Sequence, residues 1–148
     1  MHTYKQSKYQ NTTQNIGTGG EIFMSEFIKN KGYLIYKTNI RKIGFEIDIA
    51  AYKRIGDDFL DIRLIEVKTR SSPYKVSLSD LGLYKKVSLY IRNKGIIARD
   101  IVELVNKTQG VVCKYKISID LSIVTSFTRG KVKSFVISKY YKDINLLM

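Results

Sequence analysis

A chain of 148 residues, 44% of them hydrophobic, is long enough to bury one core and predicts a single globular domain. No apolar run approaches the roughly 20 residues of a membrane-spanning helix, and the first residues lack the apolar core of a signal peptide, so we expect cytoplasmic residence and no membrane attachment. The formal net charge of +13 predicts a polyanionic partner, with nucleic acid as the leading candidate. The alternative source of this charge is an AT-biased genome that enriches a chain in lysine.

The residue inventory excludes several classes of catalytic site. His2 is the only histidine, and its position next to the amino terminus argues against histidine bases and histidine-built metal sites. The single cysteine, Cys113, excludes an internal disulfide and lies in an apolar run, where we interpret it as a buried structural thiol. Carboxylates and lysines remain, so catalysis would need a cation that prefers oxygen ligands, such as Mg²⁺ or Mn²⁺.

The amino-terminal part of the chain predicts an arm followed by a helix. Residues 1–17 are polar and patternless, which favours a flexible basic arm that either contacts nucleic acid or has no role, and residues 18–148 form the predicted domain. A helix is expected from Gly19 to about Lys31, with Gly32 as its C-cap. Glu21 falls at the edge of the apolar stripe of this helix, where it either overlooks the rim of the core or is a first-turn acid favoured by the helix dipole.

Three strands are expected next, over residues 33–40, 45–52 and 59–68. Strict alternation in the second strand would place Phe45, Ile47, Ile49 and Ala51 on one face and Asp48 on the other. If Asp48 lies opposite Glu66 in an antiparallel hairpin, the loop centre falls at Asp57, within the clearest turn signal nearby. The pairing of the two carboxylates and the turn chemistry therefore agree.

The second half of the chain predicts two helices over residues 79–93 and 97–106, a long strand over 112–124, a turn at Arg129-Gly130 and a last strand over 131–140. The expected order is α-β-β-β-α-(α)-β-β. This order indicates an α/β fold with a mixed central sheet flanked by helices.

The two carboxylates suggest a metal site. Asp48 and Glu66 on one face of adjacent strands could hold a divalent cation, and the carbonyl of Val67 could add a ligand. Lys68 lies on the same face as Glu66 and could orient water or neutralise a phosphate. The alternative is a solvated strand face, because an acid-x-Lys triplet occurs by chance roughly twice in such a composition.

These residues also carry a resemblance to a known family. The chain resembles the YraN family of small endonucleases, which belongs to the PD-(D/E)xK nuclease superfamily and is similar to archaeal Holliday junction resolvases. The family's glycine-rich helix start matches residues 17–21, its Gly-Glu-Ile-Asp-Leu-Ile motif matches residues 45–50, and its Glu-Val-Lys-x-Arg motif matches residues 66–70. Phe45 replaces a glycine of the family pattern, and the hairpin after Asp48 is longer than usual.

The resemblance implies a restriction endonuclease-like fold and Mg²⁺-dependent hydrolysis of DNA, double-stranded or branched as in recombination and repair intermediates. It implies metal ligands at Asp48 and Glu66, a catalytic lysine at Lys68 and a third acid at Glu21. The predicted nucleic-acid contacts are Arg70, Lys85 and Lys86. A homodimer, common among nucleases that cut two strands, stays open. The rival interpretation is a catalytically inactive nucleic-acid-binding module of the same fold.

Overall fold

The computed structural model describes the backbone of residues 3–7, 13–42, 45–71, 83–112 and 114–144. It describes the side chains of the same residues except those of 3–7, 13–16, 42, 45 and 83–92. Its elements are, in chain order, β1 (Thr3–Ser7), α1 (Thr13–Asn30), β2 (Leu34–Lys42), β3 (Phe45–Ile55), β4 (Phe59–Arg70), α2 (Leu83–Thr108), β5 (Lys114–Arg129) and β6 (Val132–Tyr141). The six strands form one sheet in the order β1-β6-β5-β4-β3-β2. Only β4 and β5 pair in parallel, so this is the mixed, helix-flanked sheet of a restriction endonuclease-like α/β fold.

The core has two layers, one on each face of the sheet. The α1-side cluster consists of Phe23, Met24, Ile28, Ile49, Ala51, Ile65, Val67, Val124 and Phe135. The α2-side cluster includes, from the helix, Ile97, Ala98, Ile101 and Val105 and, from the strands, Ile47, Ala50, Leu60, Ile62, Leu64, Leu121 and Ile123. Strand β4 is buried without a break from residue 60 to residue 67, because helices cover it on both faces.

The β3–β4 hairpin has the predicted register. Ala50 pairs with Leu64 and Tyr52 with Ile62, and the loop of residues 56–58 contains Gly56 at a φ of 68°. The paired residues run from the loop to Ile49 and Ile65 and stop there. Asp48 and Glu66 therefore lie just beyond the paired part of the hairpin, at its open end.

The strict alternation predicted for β3 is wrong at Asp48. Ile47 packs in the α2-side cluster, whereas Ile49 packs in the α1-side cluster. On the neighbouring strand β2, Ile40 pairs with Ile47 and Thr38 with Ile49, while Asn39 between them has a left-handed φ of 52°. Asparagine adopts this conformation more easily than most residues. The β2–β3 ladder is thus irregular at Asp48, which does not pair with Asn39.

Both helices differ from the prediction in their bounds. α1 begins at Thr13 and not at Gly19, and α2 is one continuous helix where two were predicted. Gly95 lies inside α2 because its cost in helix propensity, about 1 kcal/mol, is small beside the burial of the α2 residues that pack on the sheet. Within the described part of the chain, no helix is long and apolar enough to cross a membrane.

The end of α1 was predicted correctly. Gly32 has a φ of 91°, and its N–H donates to the carbonyl of Lys29 at 2.9 Å. The N–H of Tyr33 donates to the carbonyl of Ile28 at 3.2 Å, which completes a Schellman motif. The cap turns the chain directly into β2.

The first residues do not form the predicted flexible arm throughout. Thr3–Ser7 is an edge strand that pairs antiparallel with β6, from Thr3 opposite Val136 to Ser7 opposite Val132. Main-chain hydrogen bonds to an open sheet edge need no apolar side-chain pattern, which is why the sequence did not reveal this strand. Cys113 and the segment 72–82, which includes Pro73, lie outside the described residues.

A buried polar network lies on the α1 side of the sheet. Arg63 donates to Asp120 at 2.8 Å, to Asp61 at 3.3 Å and to the hydroxyl of Tyr33 at 2.8 Å. Asp120, which is fully buried, also accepts hydrogen bonds from the Tyr140 hydroxyl and from the backbone N–H of Asp143. Breaking such a buried pair typically costs about 3–5 kcal/mol. The network ties β4, β5 and β6 together beneath the open end of the hairpin.

Candidate active site

The site begins with the carboxylate of Asp48. Its Oδ2 accepts a hydrogen bond from the backbone N–H of Val67 at 2.8 Å. This bond stands where the next pair of the β3–β4 ladder would be, so it joins the two strands at the open end of the hairpin. Because Val67 follows Glu66 in the chain, the bond also holds the Asp48 carboxylate near Glu66, whose side chain is 4% exposed.

Lys68 is the cationic member of the site. Its Nζ lies 2.9 Å from Oε1 of Glu66, and the two side chains are 22% and 4% exposed. Residues two apart on a strand project from the same face, which brings the two groups together. The ammonium is thus held beside a buried carboxylate but stays within reach of solvent or of a phosphate.

Glu21 approaches the pair from α1. Its half-buried side chain is hydrogen-bonded to Asn39, the left-handed residue of β2. Burial and then the charge of Glu66 raise the pKa of Glu21, and the hydrogen bond from Asn39 opposes this rise. Glu21 therefore belongs to the same electrostatic group as Glu66, and because α1 begins at Thr13 it is not the first-turn acid of the alternative interpretation.

The approach of α1 depends on Gly20. A Cβ placed on Gly20 would lie 2.0 Å from Oγ1 of Thr69 and 3.1 Å from its Cβ. No side chain fits in that space without a shift of the helix or the strand. The absence of a side chain at Gly20 thus allows the helix that carries Glu21 to sit directly on β4.

The electrostatics of the site favour a cation. Burial and then the charge of Glu66 raise the pKa of Asp48 from 3.8 to about 7, although the hydrogen bond from Val67 lowers it. Glu21 adds to the same repulsion. Carboxylates held together in this way titrate as a group, and a bound cation would relieve their repulsion.

The donors present fit magnesium. Among the described residues, no three acidic, histidine or cysteine side chains converge into a complete ligand cluster. Mg²⁺ usually keeps several waters and binds through one or two carboxylates, so Asp48 and Glu66 would suffice. The carbonyl of Val67 stays a predicted ligand, since the observed contact of Val67 is its N–H.

The structure describes the side chain of only one of the three predicted nucleic-acid contacts. Arg70 lies half-buried at the end of β4 and donates to the carbonyl of Thr69 at 3.0 Å. Lys85 and Lys86 belong to the first turn of α2, and their side chains lie outside the described residues. The structure therefore brings together Asp48, Glu66 and Lys68, with Glu21 near enough to raise the pKa of Asp48 and with Arg70 two residues further along β4.

The sequence interpretation gave no role to two residues that shape the site. Asn39 holds Glu21, and Gly20 admits α1 to the surface of β4. An asparagine inside an otherwise β-branched and aromatic run was the available signal for a left-handed residue. Nothing in the sequence signalled the contact between Gly20 and Thr69, which joins residues far apart in the chain.

We predict that Gly20→Ala destabilises the protein by about 1–3 kcal/mol, because the new methyl group collides with Thr69. Adding Thr69→Ala should restore most of the loss, since it removes the colliding Oγ1, a hydroxyl with no hydrogen-bond partner among the described residues. Gly17→Ala in the same helix is the matched control, because a Cβ there meets nothing within 4 Å. Chemical denaturation measures all three. Equal stability of the Gly17 and Gly20 variants would contradict the account.

We also predict a pH dependence that originates at Asp48. A carboxyl whose pKa is higher in the folded state than in the unfolded state destabilises the fold as it ionises. Without metal, the free energy of unfolding of the wild type should therefore fall, relative to that of Asp48→Asn, as the pH rises from 3.8 to about 7. Asparagine keeps an oxygen that can accept from Val67. Denaturation in a chelator across this range measures the difference, and a constant difference would refute the prediction.

Comparison with known proteins identifies relatives of this chain. The model of a family described as "Uncharacterised protein family UPF0102" matches residues 20–94, which contain Glu21, Asp48, Glu66 and Lys68. A UPF0102 protein of Clostridium botulinum (strain Loch Maree / Type A3) is 36% identical over 108 residues, which cover 64% of this chain and 83% of the relative. A UPF0102 protein of Alkaliphilus metalliredigens (strain QYMF) is 35% identical over 96 residues, covering 60% and 79%. The chain therefore belongs to the uncharacterised UPF0102 family, the YraN family whose motifs its sequence carries.

Proposed function

We propose that this protein is a Mg²⁺-dependent endonuclease that hydrolyses phosphodiester bonds of DNA. The observation that carries the proposal is the joint placement of three groups at one strand end. The Lys68 ammonium lies 2.9 Å from the Glu66 carboxylate, and the Asp48 carboxylate is bonded to the intervening residue, Val67. Two carboxylates can hold a divalent cation and the lysine adds a positive charge beside it, an arrangement suited to metal-assisted phosphodiester hydrolysis.

Each residue of the site has its own role in the proposed reaction. Asp48 and Glu66 would hold the cation, which when bound supplies Lewis acidity toward a phosphate oxygen and lowers the pKa of a water. Lys68 is placed to position the attacking water or to neutralise charge that develops on the phosphate. The pKa of Glu21 is raised, so its carboxyl group stays protonated to a higher pH than that of an ordinary glutamate. This carboxyl group is placed to exchange a proton with water at the rim of the site.

The charge of the chain supports DNA as the substrate. A net charge of +13 favours association with a polyanion through the release of counterions. Double-stranded DNA, including branched duplexes, is the proposed substrate, and cleavage of both strands would call for two copies of the chain. These points extend the proposal beyond the family assignment.

A supercoiled-plasmid assay with Mg²⁺ tests the proposal. We expect the wild type to nick the plasmid, and we expect Glu66→Gln and Lys68→Met each to reduce the nicking rate by about 100-fold or more, as for loss of a group that acts on the reacting atoms. Lys107→Met, which changes an exposed lysine at the end of α2, is the matched control for charge and should leave the rate unchanged. Addition of a chelator should abolish nicking.

The second candidate function, an inactive nucleic-acid-binding module, is favoured by the charge alone and separates cleanly in the same assay. Equal nicking by the wild type and both site variants would show that the cleavage comes from elsewhere and would refute the catalytic proposal. Salt-dependent DNA binding without any nicking by the wild type would favour the binding module.

A further inference from the structure

We infer, on the basis of the proposed function, that the tip of the β5–β6 hairpin binds the phosphate backbone of the substrate duplex to one side of the scissile bond. The first observation is how far β5 extends. It pairs in parallel with β4, Lys68 lying beside Ile123 and Arg70, the last residue of β4, beside Thr125. β5 then continues to Arg129 before the chain turns back. The hairpin thus projects past the strand end that carries the candidate active site.

The second observation is the face on which Arg129 lies. Paired residues of neighbouring strands project from the same face, and residues two apart on one strand do so as well. Leu121 and Ile123, beside Glu66 and Lys68, both belong to the α2-side cluster. Continuing this alternation along β5 places Arg129 on the same face as Glu66 and Lys68.

The third observation is charge. Between Asp120 and Asp143 the sequence contains no acid, and it contains five cations: Arg129, Lys131, Lys133, Lys139 and Lys142. Arg129 and Lys131 at the tip are exposed. The guanidinium of Arg129 lies over the ring of Phe127 with its carbon 5.5 Å from the ring centroid, a contact that orients it without neutralising it.

The fourth observation is rigidity. The ladder between β5 and β6 continues to Arg129 opposite Val132, and Gly130 forms the turn at a φ of 60°. β1 pairs with the outer side of β6 over residues 132–136, so the hairpin is braced by a third strand close to its tip. A braced hairpin presents its charges at a fixed distance from the active site, which is what register on a duplex requires.

The geometry gives the distance. Arg129 lies six positions beyond Ile123, the residue beside Lys68, which amounts to about 20 Å along the strand. A duplex advances about 3.4 Å per base pair, so along a duplex that lies parallel to β5 this distance corresponds to about six base pairs from the scissile phosphate. The inferred ligand is the phosphate backbone and not a base sequence.

Fluorescence anisotropy with a labelled duplex in a chelator tests this inference on the intact protein. The variant is Arg129→Ala/Lys131→Ala. The control is Lys114→Ala/Lys116→Ala, which removes two exposed cations from the other end of the same strand. We expect the tip variant to bind about tenfold more weakly and to reduce the slope of log K against log salt by about two, one for each phosphate contact. The control should leave the slope unchanged.

The outcomes separate the inference from the proposed function. Equal losses in both variants, or no loss in either, would overturn the role of the hairpin while leaving a DNA-binding protein. Absence of binding by the wild type at any salt concentration would overturn the proposed function and the hairpin's role together. A reduced slope confined to the tip variant supports both.

Discussion

Strand β4 is buried on both faces, and this burial determines where its neighbouring strands and the candidate site lie. Helices cover this strand on both faces from residue 60 to residue 67, so its neighbours β3 and β5 must be fixed in register on either side. The burial ends after Val67, so Lys68 is partly exposed while the carboxylate of Glu66 beside it is still buried. The position of the candidate site is therefore a consequence of how the core is built.

The site concentrates negative charge where burial opposes it. Asp48 accepts one backbone hydrogen bond and Glu66 pairs with Lys68, yet the pKa of Asp48 still rises to about 7. The buried network around Arg63 differs, because there Asp61 and Asp120 share one guanidinium and each also accepts a hydrogen bond from a tyrosine hydroxyl. The uncompensated charge at Asp48 is the observation on which the proposed cation site rests.

The sequence predicted those parts of the fold that depend on local pattern and turn chemistry. The hairpin register followed from Gly56 and Asp57, and the end of α1 followed from Gly32. It missed what depends on contacts between distant residues. The β1 strand forms through main-chain bonds, α2 continues through Gly95 because its neighbours are buried, and Ile47 changes face at an irregular ladder. For the site, it predicted roles for Glu21, Asp48, Glu66 and Lys68, but none for Asn39 or Gly20, which position Glu21.

The proposal that Asp48 and Glu66 bind a divalent cation is tested most directly by a crystal of the wild-type protein grown with Mn²⁺. Diffraction at the manganese absorption edge would locate the ion without reference to activity. The account predicts an anomalous peak at about 2.2 Å from oxygens of both carboxylates, the distance at which hard cations bind oxygen ligands. A fully occupied manganese elsewhere, with no peak between Asp48 and Glu66, would contradict it.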